Sequence, residues 1–524
     1  MGRKAAESRP AVRGRKRGEE CSTGDADPWR VVRVIRRLTV GPPLVEPRRV
    51  ITPYTVESDA GTTSTELAYR FERDVFDSSD WASRNLASMV TAQVALNYGL
   101  FADEIRFVGA FDEIDRRFLR AMAENTAREI VVKKFLEPNP FLRGPASRLP
   151  ATKRARYCHA RLRFRSPTST SPAVGNIHGW GDGSSGHAVL SSGGKDSLLT
   201  LGLLREIGCD TYPIFVNESG RHWLTARNAY RYLAEHHPGT GRVWTNSDRV
   251  FAWFLRRFPF VRQDFASVRS DEYPVRLWTV AVFLFGALPL MRADGIDRIL
   301  IGDEFDTTRR VRHLGIPHYD GLFDQSRFFD DALTRYFQKK GFGVQQFSAL
   351  RWQSEMLIQK TLAERYPDLL PLQVSCHAAH LEGQRVHPCG RCEKCRRIVG
   401  MLIAFGLDPR QCGYTDAQIA ACLSALTVAG IHQETEGAQH LAHLLAQRGV
   451  LPPYARGLPA PRERPEVLML RFDPAASPID ALPSDIRAPI LRIQLEHAQG
   501  SVRRVGRRWQ PYDPLGDRTI ANHQ

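Results

Sequence analysis

Between residues 187 and 310, short apolar runs typical of strands alternate with segments in which apolar residues have helical spacing. This alternation predicts an α/β fold. Short apolar runs typical of strands lie at 187–191, 211–216, 242–244 and 298–302. Segments with helical spacing lie at 196–207, 223–235 and 273–291. Strands that alternate with helices indicate a parallel sheet with helices on both faces. In such sheets ligands bind beyond the carboxyl ends of the strands.

The preceding segment, residues 29–165, predicts a smaller α+β domain without a catalytic motif. Strand-like spacing occurs at 29–38, 67–76, 105–110, 130–135 and 157–164. Residues 81–98 predict an amphipathic helix. The residues available to cap the start of that helix are Asp77, Ser78, Ser79 and Asp80.

Composition marks three further segments. Residues 1–28 are charged and poor in apolar side chains, which predicts a disordered basic tail. Residues 166–186 are rich in Ser, Pro, Thr and Gly and predict a linker. We expect one α/β domain with a cysteine element at 187–408. The C-terminal extension, 409–524, predicts helices at 416–429 and 434–448 and strand-like pieces at 467–472 and 490–495.

The composition excludes several classes of protein. Hydrophobic residues make up 42% and charged residues 25%, which excludes a mostly disordered chain, a fibre and a disulfide scaffold. The longest apolar run, 277–291, lies between Arg276 and Arg292 and is shorter than the roughly 20 residues of a membrane span. The chain has nine cysteines, which is an odd number, and its basic N-terminal segment is not followed by an apolar stretch. Both observations predict a protein of the reducing cytoplasm.

The net charge of +16 permits contact with nucleic acid but does not favour it. Seven basic residues lie in the first 17 positions, and the remaining charge is spread along the chain. We therefore expect a small-molecule substrate ahead of a nucleic acid.

A phosphate-binding loop is the strongest motif: Ser192-Gly193-Gly194-Lys195-Asp196-Ser197, between a predicted strand and a predicted helix. Two glycines let the backbone approach an anion, and successive N–H groups at a helix N-terminus form a phosphate cradle. Ser192 and Ser197 add hydroxyl donors, and Lys195 adds a positive charge. Asp196 caps the helix, holds a loop amide or helps to hold magnesium. The spacing differs from that of a Walker P-loop.

This loop resembles that of the PP-loop ATP pyrophosphatases, over roughly residues 187–400. The resemblance implies an adenine nucleotide alpha hydrolase-like fold, ATP as co-substrate, and transfer of AMP to the substrate with release of pyrophosphate. It implies that Lys195 stabilises charge on the phosphates. Asp196 and Asp303 are the candidates for magnesium contact, because this cation prefers oxygen ligands.

Four cysteines form the second motif: Cys376, Cys389, Cys392 and Cys395. Thiols at this spacing suit a structural zinc ion. An iron–sulfur cluster and free thiols are the alternatives. Nearby histidines that could replace a thiol are His377, His380 and His387.

The cysteine pattern resembles that of the 7-cyano-7-deazaguanine synthases, in which a Ser-Cys precedes a Cys-Gly-x-Cys-x-x-Cys. Here Ser375-Cys376 and Cys389–Cys395 match, but the Tyr-Pro-Asp-Cys string of the synthase substrate region is missing. The resemblance implies a carboxylate substrate. Weaker candidates for contact with it are Asp306, Asp320, Asp324, Arg327, Arg351 and Lys360.

A domain before the loop also resembles the ATP-dependent epimerases of UDP-N-acetylmuramoyl-alanyl-glutamate. Their Cys-Pro-Lys-Cys corresponds to Cys392-Glu393-Lys394-Cys395 here. We expect an enzyme that adenylates a carboxylate for attack by a nucleophile. The alternatives are the epimerase, a tRNA-modifying PP-loop enzyme and a non-catalytic nucleotide-binding protein.

Overall fold

The computed structural model describes residues 27–166, 180, 186–218, 220–268, 274–376, 378–431, 433–452 and 456–516. Nearly all of the predicted basic tail, most of the predicted linker and His377 lie outside these residues. The predicted domain boundaries stay predictions.

Eighteen strands lie in the described residues. They are β1 Ile35–Val40, β2 Leu44–Glu46, β3 Arg49–Ser58, β4 Gly61–Phe71, β5 Ala102–Val108, β6 Arg161–Arg165, β7 His187–Leu190, β8 Thr211–Glu218, β9 Gly241–Thr245, β10 Arg298–Leu300, β11 Arg310–His313, β12 Ile316–Tyr319, β13 Gln345–Phe347, β14 His380–Glu382, β15 Arg385–His387, β16 Leu470–Phe472, β17 Ser501–Val505 and β18 Arg508–Pro511.

Twelve α-helices accompany these strands in the same described ranges. They are α1 Trp81–Ala92, α2 Glu113–Ile130, α3 Lys195–Glu206, α4 Arg221–His236, α5 Ser247–Leu255, α6 Val280–Ala293, α7 Arg327–Lys340, α8 Glu355–Arg365, α9 Glu393–Phe405, α10 Asp416–Leu426, α11 Thr435–Gln447 and α12 Ser484–His497.

One central sheet of eleven strands runs through the molecule, in the order β13-β10-β7-β8-β9-β4-β3-β1-β5-β6, with β2 beside β3. Strands β13, β10, β7, β8 and β9 are parallel, and so are β1, β5 and β6. Antiparallel pairing of β9 with β4 joins the two parallel groups. The fold is therefore α/β with a mostly parallel sheet, and the sheet is continuous across the predicted linker.

Helices cover both faces of the parallel part of the sheet formed by residues 187–310, as predicted. Adjacent residues on a strand point to opposite faces. On β8, Phe215 belongs to the core that α3, α4 and α8 share, whereas Ile214 belongs to the core of α1, α2 and α6. In the described residues, the helices are too short or too polar for any of them to cross a membrane.

Two predicted strands are wrong. Residues 130–135 continue α2 into a π-helical turn, Val131–Leu136. Residues 490–495 lie inside α12. Both runs are short and rich in branched apolar side chains, which cannot distinguish a buried helix from a strand. The predicted helix start at Trp81 is confirmed, with Asp80 accepting from the backbone N–H groups of Ala82 and Ser83.

Candidate functional site

The loop Ser192–Ser197 connects the end of β7 to the first turn of α3. Gly193 adopts a φ of +73°, and a Cβ there would lie 2.9 Å from Ala226 Cα, so no side chain fits. Ser191 Oγ accepts from Gly193 N at 3.2 Å and donates to Ser197 Oγ at 3.1 Å. Ser197 Oγ in turn donates to the Gly194 carbonyl at 3.1 Å. These bonds hold the loop around the N-terminus of α3.

A cleft opens beyond the carboxyl ends of β7, β8 and β10, in front of this loop. Its polar lining residues include Ser192, Asp196, Ser197 and Asp303. Its apolar lining residues include Phe215, Trp223, Val280 and Phe283. A cleft with both phosphate-binding groups and apolar walls is suited to a nucleotide.

Lys195 is buried within a charged network beside the loop. Its Nζ lies 2.9 Å from Asp196 Oδ1 and 3.2 Å from Glu355 Oε1. Burial alone would lower the pKa of Lys195, but the two carboxylates raise it above its usual value. Lys195 therefore keeps its positive charge next to the cleft.

Asp303 follows β10 and lies against the same loop. A Cβ at Gly302 would lie 2.7 Å from Asp196 Cβ, so only glycine lets the end of β10 approach α3 this closely. Burial raises the pKa of Asp303 well above its usual range, although Arg351 NH2, 3.6 Å from its Oδ2, opposes the shift. Within the described residues Asp303 Oδ2 has no hydrogen-bond partner.

Glu304 is a buried carboxyl that the sequence did not single out as a site residue. Burial raises its pKa to about 8, and Lys195 only partly opposes this shift. In the described part of the chain its Oε2 also lacks a hydrogen-bond partner. Asp303 Oδ2 and Glu304 Oε2 are therefore two unpartnered buried oxygens near the loop, but in the described residues Asp196, Asp303 and Glu304 do not form a group that could hold one metal ion.

Arg351 is a buried side chain that stabilises the segment after Asp303. Its guanidinium donates to Thr307 Oγ1 at 2.8 Å, to Thr308 Oγ1 at 3.0 Å and to Asp330 Oδ2 at 2.7 Å. The side chain is 1% exposed and does not line the cleft. These bonds fix the segment that follows Asp303.

Asp324 caps a helix. Its Oδ2 accepts the backbone N–H groups of Thr279, Val280 and Ala281 at 2.8–3.2 Å, at the start of α6. Burial raises its pKa to about 6, and these hydrogen bonds act in the opposite direction. All three hydrogen bonds stabilise the N-terminus of α6, and residues of this helix line the cleft.

The remaining predicted substrate residues lie away from the cleft. The Asp320 side chain is exposed on the surface. Arg327 donates to the Ala475 carbonyl at 3.2 Å, and Lys360 donates to the His497 carbonyl at 2.7 Å.

A second cavity, of about 460 Å³, separates the 305–310 segment from the C-terminal extension. Arg471, 2% exposed, lines it and lies 3.1 Å from Asp306 Oδ1 and 3.4 Å from Glu434 Oε2. Its guanidinium carbon lies 3.9 Å from the centre of the Phe305 ring. Of these residues the sequence singled out only Asp306, because its partners Glu434 and Arg471 come from a distant part of the chain.

The four predicted cysteines form one group. Their Sγ atoms all lie within 4.8 Å of one another, with Cys392 3.5 Å from Cys395 and 3.9 Å from Cys376. A tetrahedral zinc ion with bonds of about 2.3 Å to sulfur needs sulfur separations of about 3.8 Å, so the group fits such an ion. Neither His380 nor His387 belongs to the group.

Helix α9 joins the cysteine group to the loop. Cys392 caps this helix and Cys395 lies in its first turn. Arg397, two residues further on, lies 3.3 Å from Glu355 Oε1, the same atom that pairs with Lys195. Two ion pairs therefore connect the metal-competent group to the lysine of the loop.

No model of a known protein family matches the chain, and no curated protein matches it. The resemblance to the PP-loop enzymes therefore depends on the motifs and on the geometry around them.

Proposed function

We propose that this protein is a PP-loop ATP pyrophosphatase that activates a carboxylate substrate by transferring AMP to it. One observation carries the proposal: the Ser192–Ser197 loop opens, at the N-terminus of α3, onto a cleft lined by both carboxylates and apolar side chains. Adenine would pack against the apolar side chains, and the loop N–H groups would bind the pyrophosphate part of ATP.

The chemistry follows from the groups around the loop. A substrate carboxylate oxygen attacks the α-phosphorus of ATP, the bond to the β-phosphate oxygen breaks, and pyrophosphate leaves. Lys195, which stays protonated, stabilises the charge on the departing phosphates. A nucleophile then attacks the acyl carbon and AMP departs. Magnesium bound with ATP would neutralise phosphate charge, and Asp196 and Asp303, which line the cleft, are the candidates for contact with it.

The cysteine group would hold zinc in a structural role, because four thiolates leave no open position for a substrate. Its four Sγ atoms support this assignment by their mutual distances. We infer a synthase-like reaction in the cytoplasm, where the thiols stay reduced.

The test is release of AMP and pyrophosphate from ATP by the zinc-loaded protein. The substrates are 7-carboxy-7-deazaguanine with ammonia, the UDP-muramoyl dipeptide and bulk tRNA. Ser192→Ala and Asp196→Ala should abolish release. Asp210→Ala is the matched control, because this exposed carboxylate lies just before β8, at the other end of the sheet. It should leave release unchanged.

Each outcome selects one function. Release with a single substrate, lost in both loop variants, would support the proposal and identify the branch. ADP and phosphate as products would overturn it. ATP binding without pyrophosphate release on any of the three substrates would favour the non-catalytic alternative.

A further inference from the structure

A strongly basic segment lies outside the nucleotide cleft. Residues 138–166 contain eight Arg and Lys side chains and no Asp or Glu. The eight are Arg143, Arg148, Lys153, Arg154, Arg156, Arg161, Arg163 and Arg165. All except Arg154 are exposed. The positive charge of the protein is therefore locally concentrated, contrary to the even spread that we inferred from the sequence.

Three of these arginines form a regular row. Arg161, Arg163 and Arg165 alternate with half-buried residues on β6, so they share one face of the strand. Successive members are about 6.6 Å apart, at about 3.3 Å per residue. In the described residues no carboxylate forms an ion pair with them.

Among the strands that the structure describes, β6 pairs only with β5, so the row lies on the outermost strand of the central sheet. On the other side of the same strand, the guanidinium carbons of Arg116 and Arg120 lie 5.9 and 5.2 Å from the centre of the Phe164 ring. We name the surface made of Arg161, Arg163 and Arg165 the basic edge.

Nearby carboxylates do not neutralise the basic edge. Glu104, beside Arg161 on β5, already binds Arg37 at 2.9 Å and Arg106 at 2.8 Å. Glu124 accepts the backbone N–H groups of Tyr157 and Cys158.

We propose that the basic edge binds a nucleic acid through its phosphates. Guanidinium groups bind phosphate oxygens in a bidentate manner, and a straight, evenly spaced row suits a polymer with evenly spaced charges. Phe164, on the opposite face of β6, is half-buried and covered by Arg120, so it offers bases no free surface for stacking. Binding is therefore independent of sequence and dominated by salt.

The basic edge is a separate site from the nucleotide cleft. Seven strand-to-strand steps separate β6 from β7, which is about 34 Å at about 4.8 Å per step. The proposal consequently does not depend on the proposed ATP chemistry.

The test is fluorescence anisotropy of a labelled DNA duplex and a labelled RNA hairpin, titrated between about 50 and 200 mM salt. The test variant carries Arg161→Ala, Arg163→Ala and Arg165→Ala. The matched control carries Arg503→Ala, Arg507→Ala and Arg508→Ala, which remove the same charge from the exposed β17–β18 hairpin. A third variant changes the β6 arginines to lysine, which keeps the charge if the alanines disturb folding.

The test variant should bind at least about tenfold more weakly than the unmodified protein. Its affinity should also depend less steeply on salt: the magnitude of the slope of log affinity against log salt should decrease by about 2.7, at about 0.9 per lost phosphate contact. The control variant should bind nearly as the unmodified protein does, and the lysine variant should keep most of the salt dependence because it keeps the charge. Equal binding by test and control variants would overturn the proposal. The arginine row would then only keep the edge strand from pairing with another chain. Binding to phosphatidylserine vesicles but to neither nucleic acid would overturn it as well.

Discussion

Glu304 is the residue at which burial and charge conflict most clearly. Its carboxyl group is buried among other carboxylates, and its pKa rises from 4.5 to about 8. The folded chain therefore retains a proton that the unfolded chain loses at lower pH. As a result, the free energy of unfolding falls as pH rises from about 4.5 to about 8.

Glu304→Gln should remove this pH dependence, because an amide of the same size does not ionise. We expect the variant to gain stability relative to the unmodified protein between about pH 5 and about pH 8. Urea unfolding at both pH values measures the difference. Glu382→Gln, at an exposed position on β14, is the control and should show no such gain. An identical Glu304→Gln effect at both pH values would contradict the prediction.

At the scale of elements, α9 links two motifs that are far apart in the sequence. The helix starts in the cysteine group, and its Arg397 reaches Glu355 on α8. Glu355 keeps its pKa below the usual value against the effect of burial, because Arg397 and Lys195 both stabilise its charge. The loop lysine therefore depends on the position of α9.

Arg397→Gln should lower the free energy of unfolding by about 3 kcal/mol, because it leaves a buried carboxylate with one cation instead of two. Adding Glu355→Gln should recover at least about 1 kcal/mol of that loss. Urea unfolding of the single and double variants measures the coupling. Arg410→Gln breaks an exposed pair with Asp416 and should change stability by less than about 1 kcal/mol. Additive effects of the two Gln substitutions would refute the coupling.

Cys395→Ser should remove most of the bound metal and lower the melting temperature, because three thiols complete only part of a tetrahedral set. Metal analysis of the purified protein, with an absorption spectrum that detects iron–sulfur centres, measures both the loss and the identity of the metal. Cys209→Ser is the control, because Cys209 lies outside the group. Equal metal content in the two variants would exclude the four-thiol site.

Local motifs were predictable from the sequence, and contacts between distant segments were not. Ser192–Ser197 and Cys389–Cys395 are short enough for their spacing alone to indicate how the chain turns. Glu355 and Arg471 meet their partners only after folding, and their neighbours in sequence give no sign of those partners. The strand predictions at 130–135 and 490–495 were wrong for a related reason, because packing and not local preference decides between helix and strand there.

At the scale of the whole molecule, the central sheet unites the segments before and after the predicted linker. Besides the β9–β4 pairing, a buried ion cluster connects the two parts. Lys340 on α7, wholly buried, binds Asp112 and lies 3.1 Å from Asp115 Oδ1, at the start of α2. Unfolding one part would expose the charges of the other.

Lys340→Met should destabilise the whole protein by about 3–5 kcal/mol, because two buried carboxylates lose their cation. Thermal and urea unfolding measure the loss. Lys339→Met, on the exposed neighbouring position, should change stability by less than about 0.5 kcal/mol. Adding Asp112→Asn and Asp115→Asn to Lys340→Met should restore part of the stability. A Lys340→Met effect no larger than that of Lys339→Met would contradict the prediction.

The continuous sheet also fixes a distance within the molecule. Hydrogen-bonded strands cannot slide apart, so the distance of about 34 Å between β6 and β7 is set by the number of strands between them. A phosphate chain that follows the arginine row on β6 would therefore stay at a fixed distance from the loop that follows β7.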